Sequence, residues 1–459
     1  MKFINIDEIL NPLKAKLNNV VEKSSIDVNR ICIDSRIIDE KSVFLPIVGD
    51  NFDGHQFIQK AFDKGIKLSF CSKNYYENHY ETMKNLPLII VEDTLTALQN
   101  LAGYVISSSN AKVVAITGST GKTTTKDFIY EVLKQKYKVV KTSGNFNNHI
   151  GMPLTILGAE ENTEIFILEM GMNHFGEIHN LAKIARPDYA VITNVGTSHI
   201  ENLGSQEGIL KAKMEIVDYF DGKGTLIVNN EDVLLNNLYK EPSRYKKINY
   251  GFGEEVDYKI TDIKYDDYFQ HNYKINKMDI SLTVPGRHNV LNSANGVIVG
   301  KLFEVDDELI KKAIESYRGE KMRLNVVKNE KGIIIINDAY NASPDSMKSS
   351  LEMIKNIDGM RKVIFLGDMF EMGKHSIEGH RMVGDYVDIE TTDLCITVGR
   401  FAIHIGERLI ERGFEGENVF HVESYDEAAR ILNDYLKKGD VLLIKGSRGM
   451  MMEKILKKM

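Results

Sequence analysis

The chain of 459 residues contains no tryptophan, only eight prolines and only three cysteines. Cys32, Cys71 and Cys395 lie far apart and form no CxxC pair. This spacing argues against a disulfide framework or a structural zinc site, and it fits a reducing compartment. With 35 glycines, the chain also has too little glycine and proline for a collagen-like or low-complexity protein. No apolar run approaches the ~18 residues that a membrane span requires.

An excess of one charge is also missing. Lysine and arginine number 58 and aspartate and glutamate 65, so the net charge is −7. This balance argues against a nucleic-acid-binding surface spread over the whole chain, although it leaves room for a local basic pocket. Asp7 and Glu8 interrupt the N-terminus before a signal-peptide core could form. We therefore expect a cytoplasmic protein without a nucleic-acid partner or a membrane span.

Two polar runs, residues 107–110 and 317–321, predict the joints between domains. They divide the chain into 1–108, 109–316 and 317–459, in line with about 150 residues per domain. The middle and last parts alternate continuous apolar strands with helices, which is typical of parallel sheets covered on both faces. The first part predicts a mixed α/β domain, and the polar, tyrosine-rich residues 256–284 predict exposed antiparallel strands. The predicted fold class is α/β with three domains, the last of them Rossmann-like.

The strongest local motif lies between a predicted strand and a predicted helix, as a phosphate-binding loop requires. Its glycines let backbone N–H groups approach a phosphate, and the helix N-terminus adds positive potential. The strict G-x-x-x-x-G-K-[ST] pattern fails because its first glycine falls on Ile116. The alternative is a glycine-rich turn with an exposed lysine, but the flanking elements favour a phosphate loop. The loop residues follow Thr117 and are Gly118, Ser119, Thr120, Gly121, Lys122, Thr123 and Thr124.

Three further side chains in the middle domain are candidates for metal or phosphate chemistry. Glu169 ends a predicted strand, and His199 follows the next one, so both belong to the ligand-binding edge of a parallel sheet. On a helix predicted over about residues 206–220, Lys213 lies in the middle of the apolar face. It is either a lysine that extends its amino group to solvent or a buried lysine with a lowered pKa. A neutral amine of the second kind can add CO2 and become an anionic, metal-binding carbamate.

A series of motifs in chain order resembles the Mur ligases, and most closely the F-type branch of that family. The resemblance covers nearly the whole chain, and the close glycine spacing of the loop is the form found in the family. The last-domain motif of the relative that adds the third peptide residue, of the D-N-P-R type, is missing. The segments that carry the resemblance are TGSTGKTTTKDF, LEMGMNHFGEI, NVGTSHIENLGS, AKMEI, GRHNVLNSANG, NDAYNASPDSM, LGDMFEMG and KGSRGMMMEKI.

The resemblance implies an ADP-forming ligase that joins D-alanyl-D-alanine to UDP-N-acetylmuramoyl-tripeptide through an acyl phosphate. It implies ATP and two Mg²⁺ ions as cofactors, and a monomer. Residues 118–124 would hold the phosphates, and Thr123 and Glu169 would bind one ion. His199 and a carbamylated Lys213 would help to hold the second ion.

The resemblance also assigns nucleotide and substrate contacts outside the loop. Asn292 with Asn289 would bind adenine, and Arg323 and Asp338 would reach the nucleotide phosphate and ribose from the last domain. The implied contacts to the other two substrates are Ser35 and Arg36 for the uridine nucleotide, Asn145, Asn147 and Asn148 for the sugar-peptide, and Asn341, Ser343 and the 445–448 loop with Arg448 for the dipeptide.

The sequence also allows purely structural roles for some of these residues and other functions for the chain. Asparagine and serine clusters are more often loop or capping residues than ligands, and KGSRG could be a strand-to-helix turn. A different ligase of the superfamily, one that adds a single amino acid, is the nearest alternative function. A nucleotide-gated scaffold without chemistry is the more distant one, and the intact set of Lys122, Thr123, Glu169, His199 and Lys213 argues against it.

Overall fold

The computed structural model describes residues 6–20, 30–49, 51–265, 271–320, 322–357 and 360–459. Residue 321, in the second predicted joint, and residues 266–270, in the predicted antiparallel segment, lie outside this range. Across the described residues, three large sheets follow one another along the chain, each packed against helices. The predicted three-domain α/β class is confirmed, whereas the exact domain boundaries stay a prediction.

The first sheet has five strands in the order β1-β7-β6-β3-β2, and all but β1 run parallel. The longest helix of this part, α5, starts where the Asp93 carboxylate accepts the Thr96 N–H at 2.6 Å. Helix α5 then packs against two helices of the next sheet, so it joins the first two layers. The elements are α1 (Ile6–Leu13), β1 (Lys16–Asn18), β2 (Arg30–Cys32), β3 (Ser42–Phe44), β4 (Val48–Gly49), β5 (Phe52–Asp53), α2 (Ile58–Asp63), β6 (Leu68–Ser72), α3 (Lys73–Asn78), α4 (Tyr80–Met83), β7 (Leu88–Val91) and α5 (Thr94–Ser108).

The central sheet has nine strands in the order β16-β15-β14-β13-β12-β11-β8-β10-β9. Strands β8 to β14 pair in parallel. The continuous apolar sequences of β8, β10, β11 and β12 are buried on both faces, as the sequence predicts. The elements are β8 (Lys112–Thr117), α6 (Lys122–Leu133), β9 (Val139–Lys141), α7 (Gly151–Leu157), β10 (Ile165–Glu169), α8 (Glu177–Ala185), β11 (Tyr189–Ile192), α9 (Ile200–Leu203), α10 (Gln206–Met214), β12 (Thr225–Asn229), α11 (Val233–Lys240), β13 (Lys246–Gly251), β14 (Tyr258–Tyr265), β15 (His271–Ile275), β16 (Met278–Leu282), α12 (Arg287–Leu302) and α13 (Asp307–Ser316).

The edge of the central sheet is antiparallel, as predicted for residues 256–284, but only one of its faces is exposed. Alternate side chains such as Ile260, Tyr273 and Ile280 are buried, because this face of the strands packs against α12 and α13. The period of two in the sequence reports this division correctly. The prediction of exposed strands was therefore wrong for the inner face.

The third sheet has six strands in the order β17-β18-β22-β19-β20-β21, with only β17 antiparallel. Helices cover both faces, which is the doubly wound arrangement that the alternating sequence predicts. Helix α14 begins with a capping box made by Ser343 and Ser346, with Pro344 as its first residue. The elements are β17 (Asn325–Lys328), β18 (Ile334–Asp338), α14 (Pro344–Lys355), β19 (Lys362–Gly367), α15 (Ser376–Tyr386), β20 (Leu394–Val398), α16 (Ile403–Glu411), β21 (Val419–Val422), α17 (Tyr425–Tyr435) and β22 (Val441–Lys445).

Among the residues that the structure describes, no helix is both long enough and apolar enough to cross a membrane.

Candidate active site between the second and third sheets

A cavity of about 770 Å³ lies between the carboxyl edge of the central sheet and the third domain. It is lined by residues from both parts, including the loop after β8 and the segments after β10, β11 and β18. Every site residue predicted from the middle and last domains lines this one cavity. Ligands of parallel α/β sheets bind at this edge because the strand ends and helix N-termini converge there.

The loop between β8 and α6 has the backbone shape that its glycines allow. Gly121 has a φ of 77° and immediately precedes α6, which begins at Lys122. A Cβ on Gly118 would lie 1.8 Å from the Thr193 hydroxyl, so only glycine fits there. Asn194 fixes the loop from the neighbouring strand end, because its side-chain oxygen Oδ1 accepts the Thr120 N–H at 3.0 Å. Sequence reasoning did not single out Asn194, since an asparagine after a strand gives no distinctive signal.

Lys122 folds back over the loop that precedes it. Its amino group donates to the Gly118 carbonyl at 2.7 Å and to the Ser119 carbonyl at 3.4 Å. Burial lowers the pKa of Lys122 from its ordinary value; the charge of Glu169 opposes this effect and that of Arg323 adds to it. The amino group of Lys122 thus lies at the point where phosphate oxygens would meet the loop.

Thr123 and Glu169 form the oxygen-rich centre of the cavity. The Thr123 hydroxyl donates to Glu169 Oε2 at 3.0 Å, and the Asn147 side chain donates to Oε1 at 2.9 Å. Glu169 is only 3% exposed, and its own backbone N–H donates to the Thr142 hydroxyl at 3.0 Å. A fixed carboxylate beside a hydroxyl is the type of ligand set that Mg²⁺ uses together with phosphate oxygens and water.

A buried ionic cluster behind this centre was not identified from the sequence. Lys126 lies 3.9 Å from Glu169 Oε2 and 3.7 Å from Asp127 Oδ1, and Asp127 also pairs with Lys141 at 2.7 Å. Tyr317 donates to the other oxygen of Asp127 at 3.4 Å. Lys126 and Asp127 are only 1% and 2% exposed, and these mutual contacts compensate for burying charges on α6.

His199 and Lys213 face the cavity from the segments that follow β11. Burial lowers the pKa of His199 to about 4, with Lys122 and Lys213 adding to the effect, so the ring is neutral at pH 7. Lys213 is 1% exposed on α10, and burial lowers its pKa well below the ordinary lysine value. Helix α10 ends at Met214 and continues as one turn of 3-10 helix over Glu215–Val217, slightly short of the predicted end. Of the two interpretations, the buried lysine is the one that the structure supports.

The first turn of α12 closes the cavity on the side of the loop. Asn289 donates to the Pro285 carbonyl at 2.7 Å, and Asn292 donates to Asn289 Oδ1 at 3.0 Å. The Asn292 side chain also lies against Gly121, where a Cβ would approach its oxygen to 2.6 Å. Both predicted asparagines therefore lie beside the phosphate loop, where a base attached to bound phosphates could reach them.

Arg323 extends from the third domain to the Thr123–Glu169 pair of the second domain. Its guanidinium donates to the Thr123 hydroxyl at 3.1 Å and stacks on the Tyr340 ring at 3.9 Å from its centroid. Glu320 pairs with it at 3.2 Å. Arg323 thus adds positive charge to a cavity inside a net-negative protein, as expected from the sequence.

Asp338, at the end of β18, already has three partners. Its oxygens accept from the Leu324 N–H at 3.2 Å, from the Ser350 hydroxyl at 2.7 Å and from the Lys445 amino group. Lys445 ends the adjacent strand β22, so the two strand ends are tied by a buried ion pair. Asp338 lines the cavity, but its predicted contact with ribose stays a prediction.

The dipeptide candidates line the far wall of the cavity. The Asn341 backbone carbonyl accepts from Lys445 at 3.4 Å, Ser343 caps α14, and Arg448 pairs with Glu453 at 2.8 Å. Ser343 thus has the structural role of a helix cap, which the sequence also allowed, and this role does not prevent a ligand contact. Their roles toward a dipeptide stay predictions.

Asp345 was not proposed from the sequence, yet it joins two domains. Its Oδ2 accepts the Thr197 N–H at 2.7 Å and the Thr197 hydroxyl at 3.0 Å. The adjacent Gly196 N–H donates to the Ser119 hydroxyl at 2.9 Å, which links the same segment to the phosphate loop. Because the partner lies 148 residues away along the chain, no local pattern could reveal this contact.

Ser35 and Arg36 lie in the first domain, outside the cavity. Arg36 is exposed and forms a two-point contact with Asp34, with Nη2 to Oδ2 at 2.7 Å, and this contact lowers the pKa of Asp34 to about 2. Lys64 donates to the Ser35 carbonyl at 2.7 Å. The role of Ser35 and Arg36 in binding a uridine nucleotide stays a prediction. Two of the three candidates for the sugar-peptide, Asn145 and Asn148, are exposed at the mouth of the active-site cavity, beside the third candidate, Asn147.

Three family models match the chain in consecutive segments. They describe the Mur ligase family catalytic domain over residues 27–105, the Mur ligase middle domain over 116–300, and the Mur ligase glutamate ligase domain over 322–448. The first boundary region between matches, 105–116, contains the end of α5 and the start of β8.

Relatives and solved structures agree with these matches over nearly the full length. The UDP-N-acetylmuramoyl-tripeptide–D-alanyl-D-alanine ligase of Bacillus subtilis is 37% identical over 458 residues, which are 98% of this chain and 97% of the relative. The corresponding ligase of Haemophilus influenzae is 31% identical over 97% and 95% of the two chains. A crystal structure of MurF from Acinetobacter baumannii superposes with a TM-score of 0.88 at 27% identity, covering 98% and 97% of the chains. The MurF ligase of Thermotoga maritima in complex with ADP gives 0.82 at 29% identity, covering 94% and 96%. The chain therefore belongs to the Mur ligase family, in its MurF branch.

Proposed function

We propose that this protein is the ATP-dependent ligase that joins D-alanyl-D-alanine to UDP-N-acetylmuramoyl-tripeptide, giving the pentapeptide precursor of peptidoglycan. The observation that carries the proposal is the single cavity of about 770 Å³ that joins the phosphate loop to side chains of the third domain. One substrate can be activated on the central wall while a second enters from the opposite wall. The full-length identity of 37% to a ligase with this activity supports the choice of substrates.

The reaction needs activation because a carboxylate does not react directly with an amine. Transfer of the terminal phosphoryl group of ATP to the tripeptide carboxylate gives an acyl phosphate and ADP. The dipeptide amine then attacks the acyl carbon, a proton leaves the nitrogen, and phosphate departs. Lys122, which lies over the glycine-rich loop, and Arg323, which donates to Thr123, can stabilise the phosphoryl group in transfer.

Magnesium fits the central wall at Thr123 and Glu169. Their side-chain oxygens face each other at 3.0 Å, and Mg²⁺ commonly takes only one or two protein ligands, with phosphates and water completing the set. This explains why the described residues contain no cluster of three or more histidine, cysteine or acidic side chains arranged for a metal. When bound, the ion would neutralise charge on the phosphates.

The second ion of the proposal involves His199 and Lys213. A pKa of about 4 leaves His199 neutral at pH 7, so one ring nitrogen offers a lone pair. The buried Lys213 has a strongly lowered pKa, which favours the neutral amine that adds CO2 and releases a proton to form a carbamate. The carbamate would turn this buried neutral amine into an oxygen ligand, and the bound ion would neutralise its negative charge.

Contacts between the domains support closure around the nucleotide. Thr123 receives a hydrogen bond from Arg323, and Thr197 donates to Asp345, so both link the second domain to the third. Closure would exclude water from the acyl phosphate, which would otherwise hydrolyse back to the carboxylate and free phosphate. We place the reaction in the cytoplasm, where ATP and UDP-linked precursors are found, and expect a monomer.

Phosphate release with ATP and Mg²⁺ tests this function. The UDP-linked tripeptide and D-alanyl-D-alanine are supplied separately and together, and we expect release only when both are present. Release with a shorter UDP-peptide and a single amino acid would favour another ligase of the superfamily. If no combination releases phosphate, the protein is a nucleotide-gated scaffold.

A further inference from the structure

A second, smaller cavity opens beside the active-site cavity. Its volume is about 240 Å³, and it lies between α5 of the first domain, the loop before α7, and α8. Asn148, Gly171 and Glu177 line both cavities, so the smaller one is a side pocket of the larger. The mechanism above gives this side pocket no role.

The side pocket begins next to the place of phosphoryl transfer. Gly171 follows Glu169 by two residues, and a Cβ on Gly171 would lie 3.1 Å from the Asn147 side chain that bonds Glu169. Glu177 is also close enough to His199 for its charge to raise the pKa of that ring, against the larger effect of burial. A group attached to the reacting carboxylate can therefore extend into the side pocket.

The side pocket carries one negative charge among its described lining residues, on Glu177. Glu177 is the only acidic or basic side chain among the described residues that line it, apart from the imidazole of His149. Its carboxylate is held in position by the Asn173 N–H at 2.6 Å and by the His174 ring at 3.4 Å. A half-exposed carboxylate that keeps free lone pairs, on a side pocket that Asn148 and Asn180 also line, suits an ammonium group.

We infer that the side pocket binds the side-chain ammonium of the third residue of the tripeptide, with Glu177 as its counter-ion. The inference rests on the proposed function, in which that third residue carries the carboxylate that is activated. Its side chain starts at the carbon next to this carboxylate, so it projects from the point where the two cavities meet. Among the described residues that line it, no lysine or arginine could pair with a second carboxylate, so the side pocket favours a lysine-type side chain over one that ends in an amino acid group.

The test compares UDP-linked tripeptides that end in lysine or in norleucine, which has the same chain without the amino group. Dissociation constants are measured by calorimetry on the full chain, and phosphate release is followed in parallel. We expect the lysine peptide to bind roughly tenfold to a hundredfold more tightly, as for a hydrogen bond to a charged group. In Glu177→Gln this preference should shrink to less than about threefold, because the amide oxygen still accepts from Asn173 but the charge is gone.

Two further variants separate recognition from a structural effect. Glu161→Gln removes the same charge from an exposed loop outside the side pocket and should keep the full preference for lysine. Asn180→Lys puts a cation at the exposed rim of the side pocket and should turn the preference toward a diaminopimelate peptide, whose side chain adds a carboxylate. Equal binding of the lysine and norleucine peptides by the unmodified protein would overturn the inference. Absence of phosphate release despite selective binding would instead count against the proposed ligase.

Discussion

The two walls of the active-site cavity are built in different ways. The central wall consists of a glycine-rich loop, strand ends and helix starts within one domain, where residues 117–124 and Glu169 are held by hydrogen bonds and Lys213 is buried. The opposite wall reaches this centre through few polar contacts, chiefly Arg323 to Thr123 and Asp345 to Thr197. The groups proposed for phosphoryl transfer are therefore preorganised within one domain, whereas the groups that complete the site depend on how the domains meet.

The largest expected loss comes from the central wall, in Glu169→Gln. The carboxylate accepts from both Thr123 and Asn147, and an amide would turn a donor toward one of them and remove the charge that a metal needs. We expect phosphate release to fall by roughly three orders of magnitude, because metal stabilisation of transferring phosphate contributes several kcal/mol. Steady-state kinetics with varied Mg²⁺ measures it, with exposed Glu164→Gln as a charge-matched control. Activity within tenfold of the unmodified protein would contradict a metal role for Glu169.

Lys213→Ala should be nearly as damaging and partly reversible. Short carboxylic acids can occupy the space of a carbamylated side chain, so we expect rescue by added acetate or formate, measured as phosphate release. Lys211→Ala is the matched control, because Lys211 lies two residues away on the exposed side of α10. Full activity of Lys213→Ala would rule out the carbamate.

The contact between the walls predicts an intermediate effect. Asp345→Asn weakens the two hydrogen bonds to Thr197, and Gly196→Ala would place a methyl group 2.3 Å from Asp345 Oδ2. We expect each variant to lower kcat/KM roughly tenfold, in line with the loss of one hydrogen bond to a charged group. Nucleotide binding alone, measured by fluorescence titration with ADP, should change little, because the phosphate loop keeps its own contacts. A loss of ADP affinity equal to the loss of kcat/KM would show that the two walls act as one unit.

The smallest predicted effect is on stability at low pH, at His288 in the first turn of α12. Burial lowers its pKa to about 4, opposed by the charge of Asp338 and assisted by that of Lys445 on the opposite wall. In the unfolded chain His288 binds a proton near pH 6.5, whereas in the folded chain it binds one only near pH 4. The free energy of unfolding should therefore fall as the pH drops from 6.5 toward 4.

Urea unfolding at pH 7 and pH 5 measures this dependence. His288→Gln should unfold with a smaller difference between the two pH values than the unmodified protein, because glutamine binds no proton in either state. His79→Gln, at an exposed position of the first domain, is the control and should leave the difference unchanged. An unchanged difference in His288→Gln would assign the acid sensitivity to other groups.

Local patterns were sufficient for most of the fold and for the central wall. Strand–loop–helix order, apolar continuity and the position of Lys213 on its helix depend on residues close in sequence, and the structure agrees with each. The inner face of the 258–282 strands was missed because their polar composition was given more weight than their alternation, and α12 and α13 cover the apolar positions. Lys126 and Asp127 were missed because their partners come from strand and linker positions that no helical pattern reveals.

The sequence by itself determined the three α/β domains, the phosphate loop and the family, because these follow from short-range periodicity and from motifs whose glycines and lysine have direct physical roles. Only the tertiary structure decided that Asp345 joins the domains, that Asp338 is tied to Lys445, and that Glu177 lines a side pocket next to the reacting centre. These features depend on contacts between residues about 100 or more positions apart, or on the empty space between packed elements. Neither is encoded in a local pattern, since both arise only when the domains fold and meet.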